Sequence, residues 1–150
     1  MTLKYRWFPS LSKQSSPNKT HLLFCFPFAG GSSFAYRSLL PHISFEIEMH
    51  TIEFPGRGTR VDEPLCEHVE QLIPTIAEAI LPHLDVPFSF FGHSMGALIG
   101  FELARYLEFH HQKKADFLFL SAMRAQHLAS RFPKMASLSN EDLLQTTKQQ

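Results

Sequence analysis

The sequence predicts an α/β fold in which a mainly parallel sheet is flanked by helices. A continuous apolar run at residues 22–28 and a mostly apolar segment at 115–122 have the composition of buried strands in a parallel sheet. Segments with helical spacing of apolar residues alternate with the predicted strands. Because this alternation is typical of parallel sheets, we expect one α/β domain over residues 1–150, without internal repeats.

The first half of the chain contributes two of the predicted strands. The strand at residues 22–28 ends at a Gly-containing turn, and residues 34–40 then have the pattern of a short amphipathic helix closed by Pro41. Alternating apolar and polar residues at 45–54 predict the second strand. Residues 1–20, which include a Ser/Lys/Pro-rich stretch, are expected to form an N-terminal extension or loop.

The second half repeats the alternation of helix and strand. Residues 66–84 have helical spacing, and Pro74 within them predicts a kink or a late start of the helix. A short strand at 87–92 leads directly into a long helix at about 95–110. The run at 115–122 is expected to be a buried strand.

Composition excludes several classes of protein. The 14 basic and 14 acidic residues cancel, so no bulk field favours nucleic acid or an anionic membrane. No segment approaches the ~18 apolar residues of a membrane span, and two cysteines are too few for a disulfide scaffold. The histidines lack the spacing of metal ligands. We therefore expect a soluble cytoplasmic monomer without a metal ion or cofactor.

The pattern Gly-x-Ser-x-Gly at residues 92–96 lies between a predicted strand and a predicted helix. This context is typical of a nucleophile elbow, where side chains at Gly92 or Gly96 would collide with the neighbouring helix and strand. We predict Ser94 as the nucleophile and the backbone N–H of Met95 as an oxyanion donor at the helix N-terminus. The alternative is an ordinary turn in which Ser94 caps the helix.

A second Gly-containing turn, at residues 27–31, follows the first strong strand. This architecture places its other oxyanion donor there, and glycines let backbone amides approach a substrate closely. The alternative is a plain β-turn. His93 adjoins Ser94 in the chain, so we expect its side chain to point away on the sharp elbow and to serve in packing or hydrogen bonding.

Three segments together resemble the type II thioesterases, free-standing editing enzymes of non-ribosomal peptide and polyketide synthetases that have the α/β-hydrolase fold. The segments are FCFPFAGGSSFAYRSL, EFPGRGTR and FFGHSMGALIGFELAR. The resemblance spans residues 22 to about 125 and implies the N-terminal portion of that fold. It implies hydrolysis of acyl or aminoacyl groups from the phosphopantetheine arm of an acyl or peptidyl carrier protein.

The resemblance also assigns residues. Ser94 matches the family nucleophile, Met95 matches one oxyanion donor, and Ala29 matches the other by its place after Pro-Phe. Arg57 and Arg60 belong to the shared PGRGTR loop, which is either structural or helps to receive an anionic carrier. Residues 126–150 resemble the start of the family's lid, and Ser139 with Asp142 has the pattern of a helix cap.

The acid and base of the triad are not visible in this sequence. Triads on this fold run Ser, Asp, His along the chain, and the resemblance implies that both partners lie beyond Gln150. Asp116 follows the elbow helix too early, and His110 and His111 end that helix far from Ser94. His127 is the remaining candidate for a substitute base.

Three functional hypotheses therefore stay open. The first is a thioesterase, complete or as part of a longer one, and the second is a hydrolase of small oxygen esters with the same machinery. The third is an inactive fragment or a remnant that only binds a carrier protein. Turnover of thioesters against oxygen esters separates the first two, whereas carrier binding without turnover indicates the third.

Overall fold

A computed structural model describes residues 6–9 and 18–123, and within them four parallel strands form one sheet. The strands are β1 (His21–Phe26), β2 (Ile47–Thr51), β3 (Phe88–His93) and β4 (Phe117–Ser121), and the α-helices are α1 (Val69–Ile80) and α2 (Met95–His111). Three short 3-10 helices span Arg37–His42, Gly58–Arg60 and Leu81–His83. The spatial strand order is β2-β1-β3-β4, and every pair is parallel. The predicted α/β class with a parallel sheet is confirmed.

Strand β1 lies inside the sheet and supplies core residues to both faces. Leu22, Phe24 and Phe26 are fully buried on the face that carries α1 and α2, as the period of two along a strand requires. Cys25 alternates to the opposite face, where it packs with Tyr36 and Met49. Burial on both faces explains why this segment is a continuous apolar run instead of an alternating one.

The N-terminal segment adds two aromatic residues to the core on the helical face. Trp7 is 2% exposed and Phe8 is 0% exposed. The N–H of Glu53 donates to the carbonyl of Trp7 at 2.9 Å, so the segment is also held through its backbone. Both residues belong to the stretch 1–20, for which an extension or loop is predicted, so their contribution to the core is a finding of the structure.

Several predicted elements have different bounds in the structure. The short helix expected at 34–40 is a 3-10 helix at Arg37–His42, and Pro41 lies inside it instead of closing it. The second strand covers Ile47–Thr51 within the predicted 45–54. Helix α1 starts late and ends early relative to 66–84, and Pro74 lies inside it.

Strand β4 is exposed, although its sequence predicted a buried strand. The side chains of Phe117, Leu118 and Phe119 are 61%, 39% and 51% exposed. The physical reason is position, because β4 is an edge strand of the described sheet and pairs only with β3. In residues 6–9 and 18–123, no helix combines the length and apolarity needed to cross a bilayer. The helix predicted from Ser139 lies outside the described residues.

Candidate active site

Ser94 occupies a strained turn between β3 and α2. Its backbone has φ 55° and ψ −119°, a combination that side-chain-bearing residues rarely adopt. Its N–H donates to the carbonyl of Ser121 at 2.9 Å, which ties the turn to the end of β4. The sharp turn leaves Ser94 exposed at the carboxyl edge of the sheet and at the N-terminus of a 17-residue helix.

Two glycines let the backbone close this turn. A Cβ atom at Gly92 would overlap the carbonyl oxygen of Gly96, and a Cβ atom at Gly96 would overlap the carbonyl oxygen of Phe26. The first turn of α2 therefore packs backbone against backbone on the ends of β3 and β1. Any side chain at either glycine would force these elements apart, as the sequence pattern led us to expect.

The hydroxyl group of Ser94 is free of protein partners in the described part of the chain. It makes no capping hydrogen bond to α2, so the alternative that Ser94 serves as a helix cap is wrong. No other hydrogen bond of this side chain is present within residues 6–9 and 18–123. An exposed, unpartnered hydroxyl at a helix N-terminus is available for reaction at a site that favours negative charge.

The histidine next to Ser94 is used structurally. The Nδ1 atom of His93 lies 3.1 Å from the hydroxyl of Ser121, and its ring packs edge-on against Phe28 with the centroids 6.1 Å apart. The expected hydrogen-bonding and packing role of His93 is confirmed. Ser121 thus contacts the elbow twice, once through its carbonyl and once through its hydroxyl.

The other candidate acids and bases lie elsewhere. His110 and His111 end α2, and the N–H of Asp116 bonds to Phe88 at the amino end of the sheet, opposite Ser94. His127 and Asp142 fall outside the described residues. In the described ranges, no three His, Cys, Asp or Glu side chains are grouped so that they could hold a metal ion.

The turn after β1 presents a second free backbone donor. The N–H of Gly31 bonds to the carbonyl of Phe28 at 2.9 Å, and Gly30 has φ +82°, so a β-turn is present with the positive φ of type II at its third residue. Ala29 is the exposed second residue of this turn. Among the described residues, the N–H groups of Ala29 and Met95 donate to no protein acceptor.

A cavity of about 190 Å³ adjoins both turns. Met95 from the elbow and Gly30 and Gly31 from the turn after β1 form part of its wall. The remaining wall is mainly apolar, with four polar or charged members; it consists of Phe54, Pro55, Arg57, Leu65, Cys66, Glu67, His68, Val69, Leu72 and Ile99. The cavity can therefore hold an apolar group beside the exposed serine.

The two arginines of the PGRGTR loop have different surroundings. Arg60 is buried, donates to the carboxylate of Glu63 through two nitrogens at 2.9 and 2.7 Å, and lies 4.2 Å above the ring of Trp7. Its hydrogen bonds are the main reason that the pKa of Glu63 is lowered. Arg57 is half-buried, lines the cavity, and forms no ion pair within the described residues. Arg60 is thus structural, whereas Arg57 is available to a ligand.

The parallel sheet with a strained serine between β3 and α2 defines an α/β-hydrolase-type fold. Residues 21–149 match the family model described as Thioesterase domain. Linear gramicidin dehydrogenase LgrE of Brevibacillus parabrevis is 42% identical over 123 residues, which are 82% of this chain and 46% of that protein. The chain belongs to the thioesterase family.

Solved structures agree with this family. The RedJ thioesterase from the prodiginine biosynthetic pathway of Streptomyces coelicolor has a TM-score of 0.75 and 32% identity, over 87% of this chain and 49% of that one. YbtT, a type II thioesterase from the yersiniabactin NRPS/PKS pathway, has a TM-score of 0.69 and 27% identity, over 90% and 54%. The predicted resemblance is confirmed, and the chain spans about half the length of the relatives it matches.

The two cysteines provide a chemical test of the cavity. Burial raises the pKa of Cys25 to about 12, so its thiol stays protonated and unreactive at neutral pH, whereas Cys66 is exposed on the cavity wall. We predict that iodoacetamide modifies Cys66 alone in the native protein and both thiols in denaturant, as read by peptide mass spectrometry. Equal labelling of both cysteines in the native protein would contradict the burial of the β1 core.

Proposed function

We propose that this chain supplies the nucleophile and the oxyanion donors of a type II thioesterase that hydrolyses acyl and aminoacyl thioesters on the phosphopantetheine arm of carrier proteins. The observation that carries this proposal is the free, exposed hydroxyl of Ser94 in a strained turn at the N-terminus of α2, beside a mainly apolar cavity. Membership of the thioesterase family and the similarity to RedJ and YbtT support thioester hydrolysis as the reaction. A serine elbow performs acyl transfer, so we propose hydrolysis and not the redox activity in the name of LgrE.

The proposed reaction proceeds through an acyl-enzyme. The Oγ atom of Ser94 attacks the thioester carbonyl carbon, and the carbonyl oxygen becomes an oxyanion that accepts hydrogen bonds from the N–H groups of Ala29 and Met95. Collapse breaks the carbon–sulfur bond and expels the pantetheine thiolate, which leaves an ester on Ser94. Water then attacks this ester, the acid is released, and the serine hydroxyl is restored.

We expect the base that accepts the proton of Ser94 to come from outside residues 6–9 and 18–123. Within residues 6–9 and 18–123 no imidazole is hydrogen-bonded to this hydroxyl. A serine needs an adjacent base to be a good nucleophile. His127 remains the candidate within this chain, although its structure is not described.

Carrier binding without turnover is one alternative to the proposed hydrolysis. A chain with an oxyanion site and an acyl cavity but no base can bind an acylated carrier without turning it over. Without a base, the oxyanion site can still accelerate hydrolysis by ~10³–10⁴ over the reaction in water. The measured rate of hydrolysis therefore distinguishes carrier binding from full thioesterase activity. Hydrolysis of small oxygen esters by the same machinery is the other alternative.

Substitution of the serine tests the proposed function directly. We predict that the chain releases the acyl group from an acyl-phosphopantetheinyl carrier protein and that Ser94→Ala lowers kcat by at least ~10³-fold, because the acyl-enzyme cannot form. Release is followed by mass spectrometry of the intact carrier, with a p-nitrophenyl ester as the oxygen-ester comparison. Equal rates for the chain and for Ser94→Ala would reject turnover, and carrier binding without turnover would then establish the binding function.

Removal of a single backbone donor tests the oxyanion site. We predict that Ala29→Pro deletes the candidate donor and lowers kcat by ~10²–10³-fold with little change in KM. The second residue of a type II turn accepts proline readily, so the turn should persist. Ala29→Ser, which keeps the N–H, is the matched control. A similar loss of kcat in both variants would show that the loss comes from the changed side chain at position 29 and not from removal of its N–H.

The cavity arginine tests recognition of an anionic carrier. We predict that Arg57→Ala weakens the interaction with a phosphopantetheinyl carrier on the order of tenfold, because a charge-assisted hydrogen bond to phosphate is lost. Titration calorimetry measures this change even without turnover. Arg105→Ala is the charge-matched control, since Arg105 pairs with Glu102 on the surface of α2. Equal carrier affinities of Arg57→Ala and Arg105→Ala would show that Arg57 does not take part in carrier binding.

A further inference from the structure

A fully buried carboxylate joins the two loops that border the cavity beside Ser94. Glu53 follows β2 and is 0% exposed. One of its carboxylate oxygens accepts from the N–H of Ser33 at 2.9 Å, and the other accepts from the hydroxyl of Ser33 at 2.7 Å. The second oxygen also accepts from the N–H of Thr59 at 3.2 Å and from its hydroxyl at 3.4 Å. These donors belong to two segments that are far apart in sequence.

Each segment forms part of the cavity wall. Ser33 lies shortly after the turn that contains Ala29, Gly30 and Gly31, and the two glycines line the cavity. Thr59 lies in the loop 55–60, whose Pro55 and Arg57 line the same cavity. The carboxylate therefore fixes the distance between the loop with the candidate donor Ala29 and the loop with the ligand-accessible Arg57.

The loop 55–60 is built closely around this carboxylate. Gly58 has φ +47°, and a Cβ atom there would overlap a carboxylate oxygen of Glu53. The backbone of Glu53 is held as well, because its carbonyl accepts from Arg60 at 3.0 Å and its N–H donates to Trp7 at 2.9 Å. With its backbone and both oxygens held, Glu53 has little freedom to move. A buried carboxylate whose oxygens and backbone are all hydrogen-bonded holds the two loops in a fixed relative position.

We propose that Glu53 is a positioning residue that holds the N–H of Ala29 at the distance from Ser94 that an oxyanion requires. This inference rests on the proposed role of Ala29. An oxyanion donor contributes only when it is held within a few tenths of an ångström of its working position. A carboxylate suits this position because each of its oxygens accepts from a backbone N–H, so an amide nitrogen in place of either oxygen would face a donor.

The first experiment compares Glu53→Gln with Glu63→Gln. Both variants remove a carboxylate near the loop 55–60, but Glu63 binds Arg60 and Arg6 and does not contact Ser33. We expect Glu53→Gln to lower kcat by ~10²-fold with little change in KM, since a misplaced donor affects the transition state more than binding. We also expect faster amide hydrogen exchange at residues 28–33. Glu63→Gln should change neither quantity.

The second experiment asks whether Glu53 acts through Ala29. In an Ala29→Pro background the donor is already absent, so Glu53→Gln should cause no further loss of kcat if it acts only through that donor. Ser33→Ala, which removes only the hydroxyl contact, is a milder variant for use if Glu53→Gln fails to fold. It should lower kcat several-fold and increase exchange at residues 28–33.

The outcomes separate this inference from the proposed function. Unchanged kcat and unchanged exchange in Glu53→Gln, or additive losses in the double variant, would overturn the positioning role. If the parent chain has no turnover that depends on Ser94, the proposed function fails. The exchange at residues 28–33 then decides whether Glu53 holds this loop, and unchanged exchange there overturns the inference independently of activity.

Discussion

The contact between the backbone of Gly96 and the carbonyl of Phe26 is the constraint on which the site depends. A Cβ atom at Gly96 would overlap the carbonyl oxygen of Phe26. Glycine at this position therefore lets α2 begin directly against the end of β1. This contact brings the N-terminus of the helix, the strained serine and the turn after β1 to one edge of the sheet. Packing of α2 against the ends of β1 and β3 supports the strained φ of Ser94.

Polar groups around the cavity divide into those that hold the loops and those that remain available. Arg60 is enclosed by Trp7, Glu63 and the carbonyl of Glu53, and its burial leaves it poorly accessible to a ligand. Arg57, three residues earlier, lines the cavity without an ion pair in the described residues. One short loop thus contains both a structural cation and an accessible one, and burial is what distinguishes them.

Local signals predicted much of this arrangement, and distant contacts explain what they missed. The elbow was predictable because glycine requirements and the flanking strand and helix are encoded within a few residues around Ser94. The contribution of Trp7 and Phe8 to the core was not predictable, since two adjacent aromatic residues show no periodicity. The role of Glu53 depends on partners 20 and 6 residues away that only the fold brings together. The exposure of β4 follows from its place at the edge of the sheet, which an apolar run alone does not reveal.

The strand order has a consequence for how the molecule forms on the ribosome. Strand β2 pairs with β1, β3 pairs with the other side of β1, and β4 pairs with β3, so each strand joins a partner that was synthesised earlier. The sheet can therefore assemble while the chain emerges, without waiting for a later strand to insert between earlier ones. The elbow is the exception, since His93 bonds to Ser121 28 residues later. The turn that contains Ser94 is therefore completed only after β4 has been synthesised.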